Sequence, residues 1–250
     1  MGSRLSALKA RVSNRLARHL VATPHRWPLH QPMVSFTFDD VPESAATVGA
    51  PMLEDHGGHG TFYVAGNLVN RKSEYWNAIH PDQIVALHRQ GHEIGCHSFS
   101  HRMTGDLDAA ALTAEIATNR DYFEKLDASI RLENFAYPYG FASLLHKARL
   151  SKAFRSSRGI LPGVNCGVVD LHFLRAMPLI TVGIDEAAID LAFDTAIETG
   201  GWLIFYTHDV AASPSHYGCT PALLRRALEA ASRRQMPIVS VGQALRRAGA

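Results

Sequence analysis

Met33-Val34-Ser35-Phe36-Thr37-Phe38-Asp39-Asp40 is an apolar, aromatic-rich run of strand length that ends on two adjacent carboxylates. Strand-like and helix-like segments alternate after it. Met33 to Phe38 precedes a helical pattern from Glu43 to His56, Gly60 to Ala65 precedes Asp82 to Gln90, and His92 to Cys96 precedes Asp108 to Ala128. The alternation returns with Asp185 to Glu198, Trp202 to Tyr206, Pro221 to Arg234 and Pro237 to Val239. This order predicts an α/β chain with a parallel sheet wrapped by helices. Its 250 residues, 46% of them hydrophobic, suffice for one large core.

Neighbouring carboxylates repel and are costly to bury, so a strand of Phe and Val that runs into Asp39-Asp40 needs a cation, a hydrogen-bond network or open solvent. A second segment, His97-Ser98-Phe99-Ser100-His101, follows the short strand signal Gly91-His92-Glu93-Ile94-Gly95. Two histidines four apart can converge on one ion, although an isolated pair at that spacing is seldom a metal site. Beside Asp39-Asp40 the pair gains weight. One carboxylate and two imidazoles suit Zn²⁺ with a position left open for water, and Co²⁺ or Ni²⁺ take the same ligands. The remaining carboxylate is then free to act as a base. The pattern points to a metal-dependent hydrolase.

With these residues in view, the chain resembles the polysaccharide deacetylases of the NodB-homology group, carbohydrate esterase family four, over roughly residues 32 to 240. Four segments in the family's order carry the resemblance: Thr37-Phe38-Asp39-Asp40, His97-Ser98-Phe99-Ser100-His101, Phe135-Ala136-Tyr137-Pro138-Tyr139-Gly140 and Ile204-Phe205-Tyr206-Thr207-His208. It implies a distorted, incomplete (β/α) barrel spanning residues 32–250 as the catalytic domain. In such barrels the chemistry gathers at the carboxyl ends of the strands, where Asp39, Asp40, His97, His101 and His208 all fall in this reading. The resemblance further implies that Asp40, His97 and His101 hold the metal, that Asp39 is the base, that the backbone N–H of Tyr139 stabilises the oxyanion, and that His208 protonates the departing amine.

Two departures from the family pattern stand out. Ala136 occupies the place of the arginine that steadies the base, and Arg175, in Leu174-Arg175-Ala176-Met177-Pro178, is the expected substitute, ahead of Arg155 and Arg158. The fourth family motif is degenerate, with Asp170 the nearest acid, so the carboxylate that would tune His208 is left open. The implied substrate is an N-acetylglucosamine-type glycan. The segments Thr207-His208-Asp209 and Ser213 to Pro221 resemble a subgroup associated with bacterial exopolysaccharide or holdfast-type glycans, which points to a surface polysaccharide or its lipid-linked precursor. Other readings are hydrolysis of a different small amide or imide, and a catalytically silent glycan-binding module.

Residues 1–31 read differently from the rest. No acid precedes Asp39, whereas Arg4, Lys9, Arg11, Arg15, Arg18 and Arg26 all do; the other 19 basic residues face 23 acids, so the formal charge of +2 divides into +6 and −4. Leu5, Leu8, Val12, Leu16 and Leu20 recur at helical spacing and form an apolar stripe flanked by arginines. Such a basic amphipathic helix over residues 4–20 either lies on an anionic membrane or docks on the barrel. No run has the length of a signal h-region or a membrane span, which gives the expectation of a cytoplasmic protein, peripheral at most to the inner membrane face. Cys96, Cys166 and Cys219 are odd in number and lack a CxxC pair, consistent with a reducing compartment. His92 is expected to brace the site through a hydrogen bond. The arginine pairs of the last helices lack interleaved aromatic residues, so no nucleic-acid partner is expected.

Overall fold

The computed structural model describes residues 12–28 and 32–250. A short helix α1 (12–19) leads into strand β1 (Pro24–Arg26). Then follow β2 (Met33–Asp39), α2 (Ala50–Glu54), β3 (Thr61–Val64), α3 (Pro81–Arg89), β4 (Glu93–Cys96) and α4 (Ala109–Leu126). The second half runs β5 (Asn134–Ala136), α5 (Leu144–Ala153), β6 (Ser156–Arg158), β7 (Val168–Asp170), β8 (Met177–Pro178), α6 (Glu186–Thr199), β9 (Trp202–Thr207), α7 (Pro221–Arg233) and α8 (Val241–Ala248).

Seven strands form one sheet in the order β6-β5-β4-β3-β2-β9-β8, with every neighbouring pair parallel. The sheet is the parallel one expected from the alternation, and it curls into the incomplete barrel that the family resemblance implies. β2 lies within it, flanked by β3 and β9, and is buried along its whole length, as parallel strands covered on both faces are. Its side chains alternate in role: Val34, Phe36 and Phe38 join the large core beneath the helices, while Ser35, Thr37 and Asp39 share the opposite face. There Ser35 accepts a hydrogen bond from Trp202 Nε1 at 2.9 Å, and Thr37 Oγ1 donates to Phe205 O at 2.9 Å. The strand therefore delivers Asp39 to the concave side as its last residue.

The seam of the half-barrel is crossed by residues 171–178. At one end Ser157 N donates to Leu171 O and Leu174 N to Ser157 O, beside β6; at the other, Met177 and Pro178 pair with β9. Two sequence expectations are corrected at the element level. The helix expected from Glu43 begins instead with a π-helical turn at Ala45–Gly49, because Pro51 has no N–H to continue a regular ladder. Pro237 to Val239 makes only a single bridge, between Ile238 and Val34. Val34 N donates to Pro237 O and Val239 N donates to Val34 O, along the edge that β3 leaves open by starting opposite Thr37.

Residues 12–28 pack against this body. β1 pairs antiparallel with β7, and Trp27 stacks on Trp202 with ring centroids 5.0 Å apart. Ala17 of α1 is fully buried in the main core. Lys147 of α5, itself buried, donates to Ala17 O and Leu20 O at 2.8 Å each and pairs with Asp170. A cation on the last carbonyls of a helix opposes the negative end of its dipole, so Lys147 both terminates α1 and clamps it. The apolar residues Leu5 and Leu8 of the stripe lie outside the described residues. Among the described residues, no helix is long and apolar enough to cross a membrane.

Candidate active site

The carboxyl ends of four strands meet at one cavity. Asp39 closes β2 and Asp40 follows it; His97 follows β4; Tyr139 lies in the turn after β5; His208 follows β9. Asp39, Asp40, His97, His101, Tyr139 and His208 all line a cavity of about 690 Å³, within the range of small-molecule sites. The backbone is strained where these residues turn inward. Asp40 (φ 55°), Val41 (φ 39°), Ser98 (φ 57°), His101 (φ 56°) and Tyr139 (φ 58°) are left-handed, a conformation that disfavours β-branched Val41 above all.

One ligand atom from each of Asp40, His97 and His101 lies within 4.8 Å of the other two, so these three could hold a metal ion. The hydrogen bonds sharpen that fit. His97 Nδ1 faces Ala136 O at 2.9 Å, and a carbonyl can only accept, so the neutral ring carries its proton on Nδ1 and a lone pair on Nε2. That lone pair faces Asp40 Oδ1 at 3.6 Å, and His101 Nε2 lies 3.1 Å from the same oxygen. Asp40 Oδ1 is buried and has no hydrogen-bond partner. Burial lowers the His97 imidazole to about 3 and His101 to about 4, so at neutral pH both rings are neutral. Burial, and then the charge of Asp39, push the Asp40 carboxyl up to about 6 against the opposing pull of His208. A ring lone pair facing an orphaned carboxylate oxygen is an arrangement a divalent cation would satisfy.

Asp39 lives in a different field. Burial alone would raise its carboxyl, but Arg158, and after it His97 and His208, hold it below the usual carboxylate range. Arg158 is fully buried at the end of β6, donates from Nη2 to Asp39 Oδ1, and donates from Nη1 to Gly159 O at 3.2 Å. Its guanidinium lies between the rings of Tyr63 (5.1 Å) and Tyr206 (5.4 Å). Gly95 makes room for Tyr63: a Cβ at that position would stand 2.4 Å from the tyrosine ring. The arginine beside Asp39 is therefore Arg158, and the expectation of Arg175 is corrected. Arg175 belongs to residues 171–178 at the seam, where its Nη1 donates to Pro162 O at 3.1 Å.

His208 is half-buried. Its Nδ1 faces Tyr217 O at 3.2 Å, which leaves Nε2 as the nitrogen without that partner, and Trp76 and Tyr217 flank the ring at 5.7 and 5.6 Å. A backbone carbonyl thus takes the place sought for a carboxylate. Asp170, the acid nearest in sequence to the degenerate motif, is bound to Lys147 and to the N–H groups of Ala22 and His172. Asp209 shapes the loop that carries Tyr217, accepting from Ser215 N at 2.8 Å and from Ser215 Oγ at 2.6 Å. His92 does not brace the site. At the opposite end of β4, its Nδ1 accepts from Gly60 N and its Nε2 donates to Glu54, each at 3.0 Å. Cys96 is a buried thiol pushed up to about 11 by that burial, and it accepts from Asn119 Nδ2.

Several site residues have no local signal in the sequence. Glu115 on α4 accepts from Phe99 N (3.0 Å), Ser100 N (2.7 Å) and Ser100 Oγ (2.6 Å), gripping the loop between the two histidines. Tyr75 and Trp76 sit in a hairpin-like excursion tied by Ser73 N to Trp76 O and Ala78 N to Arg71 O, and wall the same cavity as Tyr139 and Ile160. A Trp and Tyr in a loop are a sequence cue for sugar stacking, but nothing local places them beside His208.

A family model described as Polysaccharide deacetylase matches residues 27–153. The peptidoglycan-N-acetylmuramic acid deacetylase PdaC of Bacillus subtilis (strain 168) is 30% identical over 112 residues, which are 44% of this chain and 22% of PdaC; the match spans under a quarter of that relative's length. Among solved structures, the Bc1960 peptidoglycan N-acetylglucosamine deacetylase superposes with a TM-score of 0.62 at 14% identity, over 87% of this chain and 90% of that one. The chitin deacetylase of the fungal pathogen Colletotrichum lindemuthianum gives 0.60 at 16% identity, over 88% and 89%. At these identities the superpositions establish a shared fold. Since the family model takes in just over half of the residues, including both the Asp39-Asp40 and His97 to His101 segments, the chain belongs to the polysaccharide deacetylase family.

Proposed function

We propose that the protein is a metal-dependent N-deacetylase acting on N-acetylglucosamine-type residues of a bacterial surface polysaccharide, of the exopolysaccharide or holdfast type, or of its lipid-linked precursor. The observation that carries the reading is the pair of facing acceptors, Asp40 Oδ1 and His97 Nε2, with no proton to share between them. Asp40, His97 and His101 would hold the ion, Zn²⁺ first by donor set and Co²⁺ or Ni²⁺ next. Bound there, it would polarise the acetamide carbonyl and acidify a water.

The chain's own residues do the rest. Asp39, kept ionised and oriented by Arg158, takes the proton of the attacking water. The N–H of Tyr139 is the oxyanion donor; its turn is held open by Gly140 N to Tyr137 O and Phe141 N to Pro138 O, bonds that employ its neighbours instead. His208, with Nδ1–H on Tyr217 O, presents Nε2 for donation to the departing amine, which leaves poorly unless protonated. Tyr75, Trp76 and Tyr217 offer aromatic faces for sugar rings. The freed amines would be positive at neutral pH and would favour adhesion to negative surfaces, as in a biofilm. The three cysteines, all unpaired, suit action on the cytoplasmic side before export. The contact of Arg158 with Asp39 supports the catalytic reading over that of a silent binding module.

The test is amine release from N-acetylglucosamine oligomers by the zinc-loaded protein and by Asp39→Asn. Turnover in the wild type and a loss of at least about a hundredfold in the variant, with metal content unchanged, is expected for a general base. Equal turnover in the two would refute the assignment of Asp39. Binding of oligomers by the loaded wild type without any turnover would instead make the protein a module.

A further inference from the structure

We infer that α1 and the residues beside it form a surface for an anionic lipid bilayer. The inference rests on the reading of the substrate as a lipid-linked glycan only for its purpose, not for its geometry.

An amphipathic helix that docks on its own domain turns its apolar stripe inward. α1 does the reverse. Its inner face is polar or small: Asn14 Oδ1 accepts from Ala142 N and Ser13 Oγ from Leu144 N, each at 3.1 Å, Ala17 is buried, and Lys147 holds the last carbonyls. The aliphatic residues point to solvent, with Val12 51%, Leu16 43%, Leu20 49% and Val21 52% exposed. Two further aliphatics extend the patch. Val168, 59% exposed on β7, lines the same shallow cavity as Leu20 and Val21, and Leu145, 73% exposed, follows the residue bound by Ser13.

Charge complementarity selects the occupant. Arg18, His19 and Arg175 line that same cavity, Arg15 is exposed on the outer face, and no acid occurs in the first 38 residues. Asp170, the acid lining the cavity, is already paired with Lys147. Aliphatic side chains ringed by cations match the acyl–headgroup boundary of an anionic membrane. A bilayer on this face would hold the enzyme at the membrane that carries a lipid-linked glycan.

Co-sedimentation of the full chain with phosphatidylcholine vesicles, with and without phosphatidylglycerol, reads this directly. The wild type is expected to bind the anionic vesicles, to bind neutral ones at least about tenfold less, and to release as salt rises. Leu16→Glu with Leu20→Glu should lower binding at least about tenfold while leaving amine release from soluble oligomers unchanged. Val168→Glu, on a different element, should weaken binding independently and guards against a misfolded helix variant. A wild type that stays in the supernatant, or variants that bind as well as it does, would overturn the inference. So would a dimer formed through this face and lost in the double variant, with vesicles left unbound. Vesicle binding without turnover would leave the surface standing and sink the catalytic reading instead.

Discussion

Ala136 and Arg158 are register partners on β5 and β6, so the guanidinium that meets Asp39 comes from one strand away from Ala136. A guanidinium entering from β6 needs a small neighbour on β5, and Ala136 provides it. Removing one partner of a buried ion pair leaves the other charge uncompensated, at a cost of about 3–5 kcal/mol. Arg158→Ala should therefore lower stability in urea melts by that order. It should also raise the Asp39 carboxyl, moving the acid limb of the pH–rate profile upward. Ala136→Arg added to Arg158→Ala should restore part of both, since the second arginine starts from the adjacent register position. A single variant with the wild-type acid limb would show that Arg158 does not set the state of Asp39. In the sequence, Arg175 is favoured by its nearness to a degenerate motif. Register between strands that are distant along the chain has no local trace, so the correct arginine cannot be chosen that way.

Helix α4 is legible to within two residues at either end, from its apolar periodicity and from Asp108, which caps it by accepting from Ala111 N. What the helix does for the site is not legible. Glu115 meets the 97–101 loop, and Asn119 ties Gly66 N at 2.8 Å to Val64 O at 3.1 Å, through contacts that only the packed structure brings together. Short strands such as β5, β6 and β8, two or three residues each, carry too little periodicity to be read at all. Glu115 holds three donors of a loop whose Ser98 and His101 are already in left-handed backbone, so without it the loop has a lower-energy escape. Partners behind metal ligands of this kind change affinity by roughly 10–100-fold. Glu115→Ala should weaken zinc binding by that factor in a chelator competition, with the far-UV circular dichroism of the wild type. An unchanged zinc affinity would mean that the sheet alone positions His101.

For the molecule as a whole, the parallel α/β sheet and the placing of acids and histidines at its strand ends are legible, because alternation is a property of the chain, while the incomplete barrel is legible only through the family resemblance. The electrical state of the cluster is not, because it depends on burial. Without metal, Asp40 at about 6 takes up a proton on folding, and its stabilising contribution is present below about 4 and lost as pH rises through about 6. His97 at about 3 and His101 at about 4 do the opposite: unfolded, they bind protons below about 6.5, so their contribution is present above that value and lost as pH falls through the folded values. Between about pH 4 and 6 the unfolded chain therefore binds two protons at the histidines where the folded chain binds one at Asp40. These groups alone should make the chelated protein more stable with rising pH, by roughly 1.4 kcal/mol per pH unit for the one-proton difference. Asp40→Asn removes the opposing proton and should steepen that slope to about twice the value. Zinc requires the deprotonated carboxylate and neutral imidazoles, so its increment in melting temperature should be larger at about pH 7 than at about pH 5, and absent or small in Asp40→Asn. Melting curves with chelator and with zinc across this range test both statements. A zinc increment that stays constant from about pH 5 to 7 would mean that Asp40 is ionised throughout, and the account of the site as facing lone pairs around an orphaned oxygen would fail with it.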